Sequence, residues 1–186
     1  MTGERLEGDA LAFVVMGVGA LSPDVRAEII ALCTRAFGES FDDLFDLVPP
    51  DSTHLLARLD GRLIGHACWM TRWLQVGDAP PLRTAYFDAV AIEPDLQGRG
   101  LGSRLVARLD QEIAGYEIGC LSTERVSFYQ RCGWELWRGP AFTRGSSGPV
   151  SPTTDNVMIR RTAHTPPLPL NLDAPLSIEP RGGSNW

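Results

Sequence analysis

The chain has no lysine among its 186 residues; all 17 basic residues are arginines. Without lysine there is no Gly-Lys-Ser/Thr, which excludes a nucleotide P-loop. Histidine is scarce, and the spacing of His54, His66 and His164 offers no metal site. The four cysteines (Cys33, Cys68, Cys120, Cys132) contain no C-x-x-C pair, which points away from zinc and disulfides and toward buried free thiols. Long apolar runs are missing as well. The first run, Leu11 to Gly17, is too short to span a bilayer. The residues before it carry Glu4, Glu7 and Asp9, the wrong sign for a signal peptide. A cytoplasmic protein with no membrane partner is the default expectation.

The length suits one domain with a sizeable core. Hydrophobic residues at 44% and charged residues at 22% are ordinary for a globular chain. The net charge of −6 is unevenly spread. Residues 1–93 hold 14 acids and 7 arginines, net −7, and residues 94–186 hold 9 acids and 10 arginines, net +1. This balance disfavours nucleic acid. Glu39, Asp42, Asp43, Asp46 and Asp51 follow one another with no intervening base. They form either a solvated loop and short helix or a cradle whose field draws in a polycationic substrate.

Local patterns predict most elements. Leu11 to Gly17 is a strand. Ser22-Pro23-Asp24 opens a helix with a cap, a proline and an acid, and the helix runs to Phe37 and stops at Gly38. Phe41 to Val48 is a second short helix before Pro49-Pro50. Thr53 to Leu59 and Leu63 to Gln75 are strands joined by Asp60-Gly61, a hairpin signal. Gly77 to Pro81 turns the chain, and Leu82 leads into a central strand over Tyr86 to Ile92, ended by Glu93-Pro94. Leu101, Leu105, Leu109 and Ile113 mark one face of a helix, with Arg99, Arg104 and Arg108 away from it. Tyr116 to Leu121 is a strand, Ser122 or Thr123 caps the next helix, and Gly133 ends that helix left-handed before Trp134 restarts a strand. Asn156 to Arg160 is the last strand of the domain. The tail from His164 is proline-rich, yet Leu168, Leu170, Leu172, Leu176 and Ile178 alternate as an added edge strand would. Trp69, Trp73, Trp134 and Trp137 read as core or strand-face aromatics. The result is a mixed α/β fold, a central mixed sheet flanked by helices.

The most specific segment is Gln97-Gly98-Arg99-Gly100-Leu101-Gly102, at a strand-to-helix junction. Glycines let backbone approach a ligand closely, and a helix N-terminus favours negative charge. The dinucleotide fingerprint needs a third glycine where Ser103 stands. Gln97, Gly100 and Gly102 instead satisfy Gln/Arg-x-x-Gly-x-Gly/Ala. That motif resembles the acetyl-CoA pyrophosphate loop of the GCN5-related N-acetyltransferases. Phe128-Tyr129-Gln130-Arg131-Cys132-Gly133-Trp134 resembles the second signature of the same superfamily, in the expected order. Within it, the chain is most similar to the aminoglycoside 2′-N-acetyltransferases. That similarity rests on the acidic segment after the first helix, Tyr86-Phe87-Asp88, the block from Leu121-Ser122 to Trp134, and a tail ending in Gly-x-x-Trp. The chain departs from those relatives in having Asp88 where they carry a glutamate and Ser184 where they carry an acid two residues before the final tryptophan.

The resemblance implies a single acetyltransferase domain over residues 1–163. Residues 164–186 would form a tail that packs back on it and joins the acceptor site. The implied cofactor is acetyl-CoA, the implied acceptor an aminoglycoside amine, and the implied assembly a homodimer. The pyrophosphate would rest on Gly98, Arg99, Gly100, Gly102 and Ser103 after Gln97, and the pantetheine arm would pair with the amides of Val90 and Ile92. An amine attacks a thioester only when neutral, so a base must take its proton. Asp88 is the candidate, acting through water, or it only binds the substrate ammonium. N–H groups around Val90 are the candidate oxyanion donors. Tyr129 matches the superfamily's tyrosine acid that protonates the leaving thiolate, or it is a packed helix residue. Asp42, Asp43, Ser122, Asp155 and the Trp186 carboxylate are assigned to the acceptor, with Asp46 an alternative to its neighbours. The competing functions are acetyl transfer to a polyamine, a small metabolite or a protein N-terminus, and a non-catalytic acetyl-CoA-binding domain.

Overall fold

The computed structural model describes residues 11–145, 148–166 and 170–181. These form two compact units: the chain up to Cys68 together with Ala89–Leu105, and Trp69–Asp88 together with the residues from Val106 on. Three elements contribute residues to both units: β3 (Arg62–Val76), β4 (Leu82–Ile92) and α3 (Leu101–Glu112).

In the first unit, β1 (Leu11–Gly17) pairs antiparallel with β2 (Thr53–Leu59), from Leu11↔Leu59 to Gly17↔Thr53. β2 returns into β3 through Asp60 (φ 51°) and Gly61 (φ 82°). Two left-handed residues make a type I′ turn, whose twist matches that of the strands. Helix α1 (Pro23–Phe37) starts where Ser22 Oγ accepts from the Val25 N–H at 3.3 Å, and it ends at left-handed Gly38. It buries Ile29, Leu32 and Cys33. Helix α2 is a single turn, Leu44–Leu47. Gly65 lets β3 run close to its neighbours. A Cβ there would stand 2.8 Å from Ile92 Cδ1 and 3.1 Å from Ala57 Cβ.

In the second unit the strand order is β6-β9-β5-β4-β3-β10-β7-β8. β5 (Ile118–Ser122) runs parallel to β4, from Thr84↔Ile118 to Tyr86↔Cys120, and α3 lies between them in sequence. Parallel neighbours need such a crossover. β9 (Val157–Arg161) pairs antiparallel with β5 and with the short β6 (Glu135–Leu136). Helix α4 (Val126–Arg131) precedes left-handed Gly133. β7 (Ala141–Gly145) and β8 (Gly148–Pro152) form an antiparallel pair with a register shift at Thr143/Arg144. β10 (Leu176–Ile178) pairs antiparallel with β3 and parallel with β7.

Three expectations change. The tail strand is not an edge: β10 sits between β3 and β7, and Leu176 and Ile178 are fully buried. β7 and β8, which precede Val157–Arg161, were not expected; they lie in a segment whose prolines and glycines hide the period-two pattern. Neither Ser122 nor Thr123 is the N-cap of α4; that position is Arg125, and Thr123 Oγ1 accepts from the Arg125 N–H at 2.9 Å. As expected, Trp69, Trp134 and Trp137 are buried, and Trp73, 47% exposed, lies on the face of a strand. Among the described residues, no helix is long and apolar enough to cross a membrane.

Candidate active site

The glycine segment of the first unit forms a turn that leads into a helix. Gly98 (φ 76°) and Gly100 (φ 81°) are left-handed. A Cβ at either would meet nothing within 4 Å. A residue with a Cβ is disfavoured there by conformation alone. Gln97 folds back, its Nε2 donating to the Ile92 carbonyl at 3.0 Å, and so shapes the turn from inside. Gly102 and Ser103 are the second and third residues of α3, whose first-turn amides lack intrahelical acceptors. Arg99 and Arg104 are exposed, and Arg108 pairs with Glu112 one turn on. An open, glycine-lined backbone turn at the head of a twelve-residue helix fits a pyrophosphate.

The strand that enters this turn is firmly held. Glu93 is buried, and both its carboxylate oxygens accept from Arg35 of α1 at 2.9 Å, with Arg62 at 3.5 Å. The Arg35 guanidinium holds the Glu93 carboxyl below the usual range, against the opposing effect of burial. The Glu93 N–H donates to the Ile64 carbonyl. Further back in β4, Ala89 is buried and left-handed at φ 48°. Its carbonyl accepts from His66 Nδ1 at 2.9 Å. The register of β4 with β5 ends at Tyr86↔Cys120, before Val90 and Ile92.

The second unit gathers the candidate reactive side chains. Asp88 is 40% exposed and accepts from Arg181 Nη2 at 3.0 Å. Arg181 comes from the tail, and its other amino group reaches Met70 Sδ at 2.9 Å. Its guanidinium also lies over the Tyr86 ring, 5.5 Å from the centroid, while that of Arg72 lies 5.4 Å from the same ring. Arg72 is buried and paired with Glu179 at 2.9 Å. Glu179 in turn accepts from the Trp73 N–H and from Arg144. Burial pushes the Tyr86 hydroxyl far above its usual range, and Ser122 opposes that shift. The hydroxyl nonetheless makes no bond of regular geometry. Ser122 lies beside it. Tyr86, Asp88 and Ser122 thus come together here.

Tyr129 is buried on α4, its ring edge-on to Phe128 at 5.0 Å and to Trp134 at 5.6 Å. Burial raises its phenol well above the usual value, so it stays protonated at neutral pH. Asp155 is exposed and turned into its own loop, where Oδ2 accepts from Thr153 Oγ1 at 2.9 Å. It borders a cavity of about 210 Å³ with Arg138, Thr153 and Asn156. Asp42 and Asp43 belong to the first unit and are exposed; Asp42 accepts from Ser40 at 2.9 Å. Trp186 lies outside the described residues. Sequence reasoning missed Arg181, Arg72 and Glu179, since a tail arginine and two distant charges carry no motif. His54 and His66 were visible only as polar interruptions of apolar runs.

The acetyltransferase (GNAT) domain family matches residues 50–136. Over 171 residues the chain is 30% identical to the aminoglycoside 2′-N-acetyltransferase of Mycolicibacterium fortuitum, covering 89% of this chain and 87% of that protein. The chain belongs to the GCN5-related N-acetyltransferases. A blasticidin-S acetyltransferase of Streptomyces morookaense is 34% identical over 85 residues, which is 42% of this chain and 52% of that one. The fold matches a GNAT family N-acetyltransferase (YhbS) from Escherichia coli solved in complex with CoA, with TM-score 0.63 at 19% identity, over 95% of this chain and 93% of that one. As a member of this family the protein is an acetyltransferase that uses acetyl-CoA.

Proposed function

We propose that the protein acetylates a primary amine of a polycationic small molecule, the 2′-amine of an aminoglycoside. The observation that carries this reading is the Asp88–Arg181 pair. The carboxylate expected to meet the acceptor already binds a cation. The acid-rich first half of the sequence favours the same charge type in the acceptor. The similarity to a 2′-N-acetyltransferase over most of its length supports the aminoglycoside class. The same reading takes the protein as a cytoplasmic homodimer whose tail lines the acceptor site.

Acetyl-CoA supplies an activated acyl thioester. Gly98, Arg99, Gly100, Gly102 and Ser103 hold its pyrophosphate, with Gln97 shaping the turn, and the Val90 carbonyl and the Ile92 amide pair with its pantetheine arm. Asp88 takes a proton from the acceptor ammonium, directly or through water, and frees the nitrogen lone pair. The Val90 N–H donates to the acetyl oxygen as negative charge develops there. The new C–N bond forms as the C–S bond breaks, Tyr129 gives its proton to the departing sulfur, and the second proton lost by the acylated nitrogen returns through water to the Tyr129 oxygen. Asp42, Asp43, Ser122, Asp155 and Trp186 bind the remaining ammonium and hydroxyl groups.

A second acceptor type has its own support. Phe37 and Phe41 stack at 4.9 Å beside the acidic segment, and Phe37 is 48% exposed. That surface suits a cationic molecule with a planar ring. The test is thiol release from acetyl-CoA with gentamicin, tobramycin and dibekacin (2′-amines), amikacin and kanamycin A (2′-hydroxyls), and blasticidin S. Release with the 2′-amines alone supports the aminoglycoside reading. Release with blasticidin S alone transfers the role to planar-ring amines, and release with none sinks both.

A further inference from the structure

A chain of buried polar groups runs through the first unit and ends at the Ala89 carbonyl. Ser52 Oγ lies 3.3 Å from His54 Nε2, His54 Nδ1 lies 3.0 Å from His66 Nε2, and His66 Nδ1 lies 2.9 Å from the Ala89 carbonyl. Ser52, His54 and His66 are all fully buried. A carbonyl only accepts, so His66 carries its proton on Nδ1. Its Nε2 is then an acceptor, and His54 donates to it from Nδ1. His54 Nε2 is an acceptor in turn, filled by the Ser52 hydroxyl. One carbonyl therefore dictates both tautomers and the direction of the whole chain. Burial keeps the rings neutral, lowering His54 to about 4 and His66 to about 3.

The far end of this chain is a strained residue. Ala89 and Asp60 are the non-glycine residues with positive φ among those described. Asp60 sits in a turn that demands it, but Ala89 lies inside a strand. A left-handed alanine is unfavourable and persists only where its surroundings hold it. Its carbonyl ties it to His66, and the rotation at Ala89 sets where the next amide, that of Val90, points.

We propose that Ser52, His54 and His66 are a positioning relay for acyl transfer, in which His66 pins left-handed Ala89 and so aims the Val90 N–H at the acetyl oxygen. This rests on the assignment of Val90 as oxyanion donor, and is independent of which amine is the acceptor. His66 acts through the backbone and touches no reacting atom.

The first test needs no ligand. Long-range proton–nitrogen NMR of the apo protein should show Nδ1–H tautomers at both histidines; Nε2–H at His66 overturns the relay. The second compares His66→Asn, whose amide can occupy the Nδ1 place, with His66→Gln, whose amide reaches the Nε2 end. His66→Gln should lower kcat on the order of tenfold to a hundredfold, with KM for acetyl-CoA changed by less than about threefold. His66→Asn should restore most of the rate, and the Val90 amide cross-peak should shift in Gln and return in Asn. Equal kcat in the two variants, or a Val90 cross-peak that does not follow the donor, overturns the proposal. Should His66→Gln fail to fold, His54→Leu takes its place: the Ala89 carbonyl keeps the proton of His66 on Nδ1, Nε2 loses its donor, and a shifted Val90 cross-peak with lower kcat is expected, whereas an unshifted cross-peak with unchanged kcat overturns the proposal. If no amine in the panel turns over, the aminoglycoside reading fails while the two NMR readouts still decide the relay.

Discussion

Arg181 Nη2 donates to Asp88 at 3.0 Å, so a cation of the chain itself occupies the carboxylate assigned to the acceptor. An incoming ammonium ion then competes with a guanidinium. Arg181→Ala should lower the acceptor KM several-fold. Asp88→Asn should lower kcat by about 100- to 10,000-fold, the usual worth of a general base. A kcat unchanged in Asp88→Asn would leave Asp88 a binding group at most.

Tyr129→Phe separates chemistry from packing. The ring contacts with Phe128 and Trp134 survive the change, so the melting temperature should hold within a few degrees. Loss of the proton donor should still cost kcat about 100-fold or more. If the rate survives too, Tyr129 is core.

Gly98→Ala and Gly100→Ala probe the pyrophosphate turn. No atom stands within 4 Å of either new Cβ, so any penalty comes from the left-handed backbone, about 1–2 kcal/mol each. The expected result is a raised KM for acetyl-CoA with kcat changed far less. Calorimetric binding of CoA checks it; unaltered affinity argues against the turn as the phosphate site.

Glu179→Ala should unfold the protein more readily than its half-exposed position suggests. It removes the carboxylate that balances the charge of buried Arg72, paired at 2.9 Å, while the residue-179 carbonyl still accepts from that side chain, and such losses cost about 3–5 kcal/mol. For a chain of this size that corresponds to a drop of roughly 6–20 °C in Tm. Restoration by Arg72→Met in the double variant would identify the unbalanced charge as the cause.

Stability should fall on mild acidification. His54 and His66 have folded values lowered to about 4 and about 3 by burial, below the unfolded value near 6.5. Below that unfolded value the unfolded chain binds more protons than the folded one, so stability declines as pH drops, by at most about 1.4 kcal/mol per pH unit for each ring. The decline ends only once the folded rings protonate. Between pH 6.5 and 5 the carboxylates contribute little, so urea midpoints there isolate the histidines. A His54→Gln, His66→Asn double variant should flatten the slope.

The legible parts of the fold were those set by neighbouring residues. Ser22-Pro23 and Gly38 bounded α1, and Asp60-Gly61 fixed the hairpin, because caps and turns act over a few positions. Gly98, Gly100 and Gly133 were legible because the left-handed backbone selects glycine. Ala89 adopts a similar backbone with no such mark, since its strain is held by His66 from another strand. β10 read as an edge because three alternating residues do not say how many neighbours they have. Arg181 was invisible for a related reason: its partner lies on β4, far away in the chain.

The placement of β10 has a kinetic consequence. Leu176 must find both Val76 and Ala141, partners remote in sequence. Closing such long loops is slow relative to forming the β2–β3 hairpin or α1. Until residues 176–178 arrive, β3 and β7 each offer a row of unsatisfied amides and carbonyls to any strand that comes by. A refolding chain is then most exposed to self-association late, when much of its structure is already in place. Three residues act as the stopper of that aggregation route.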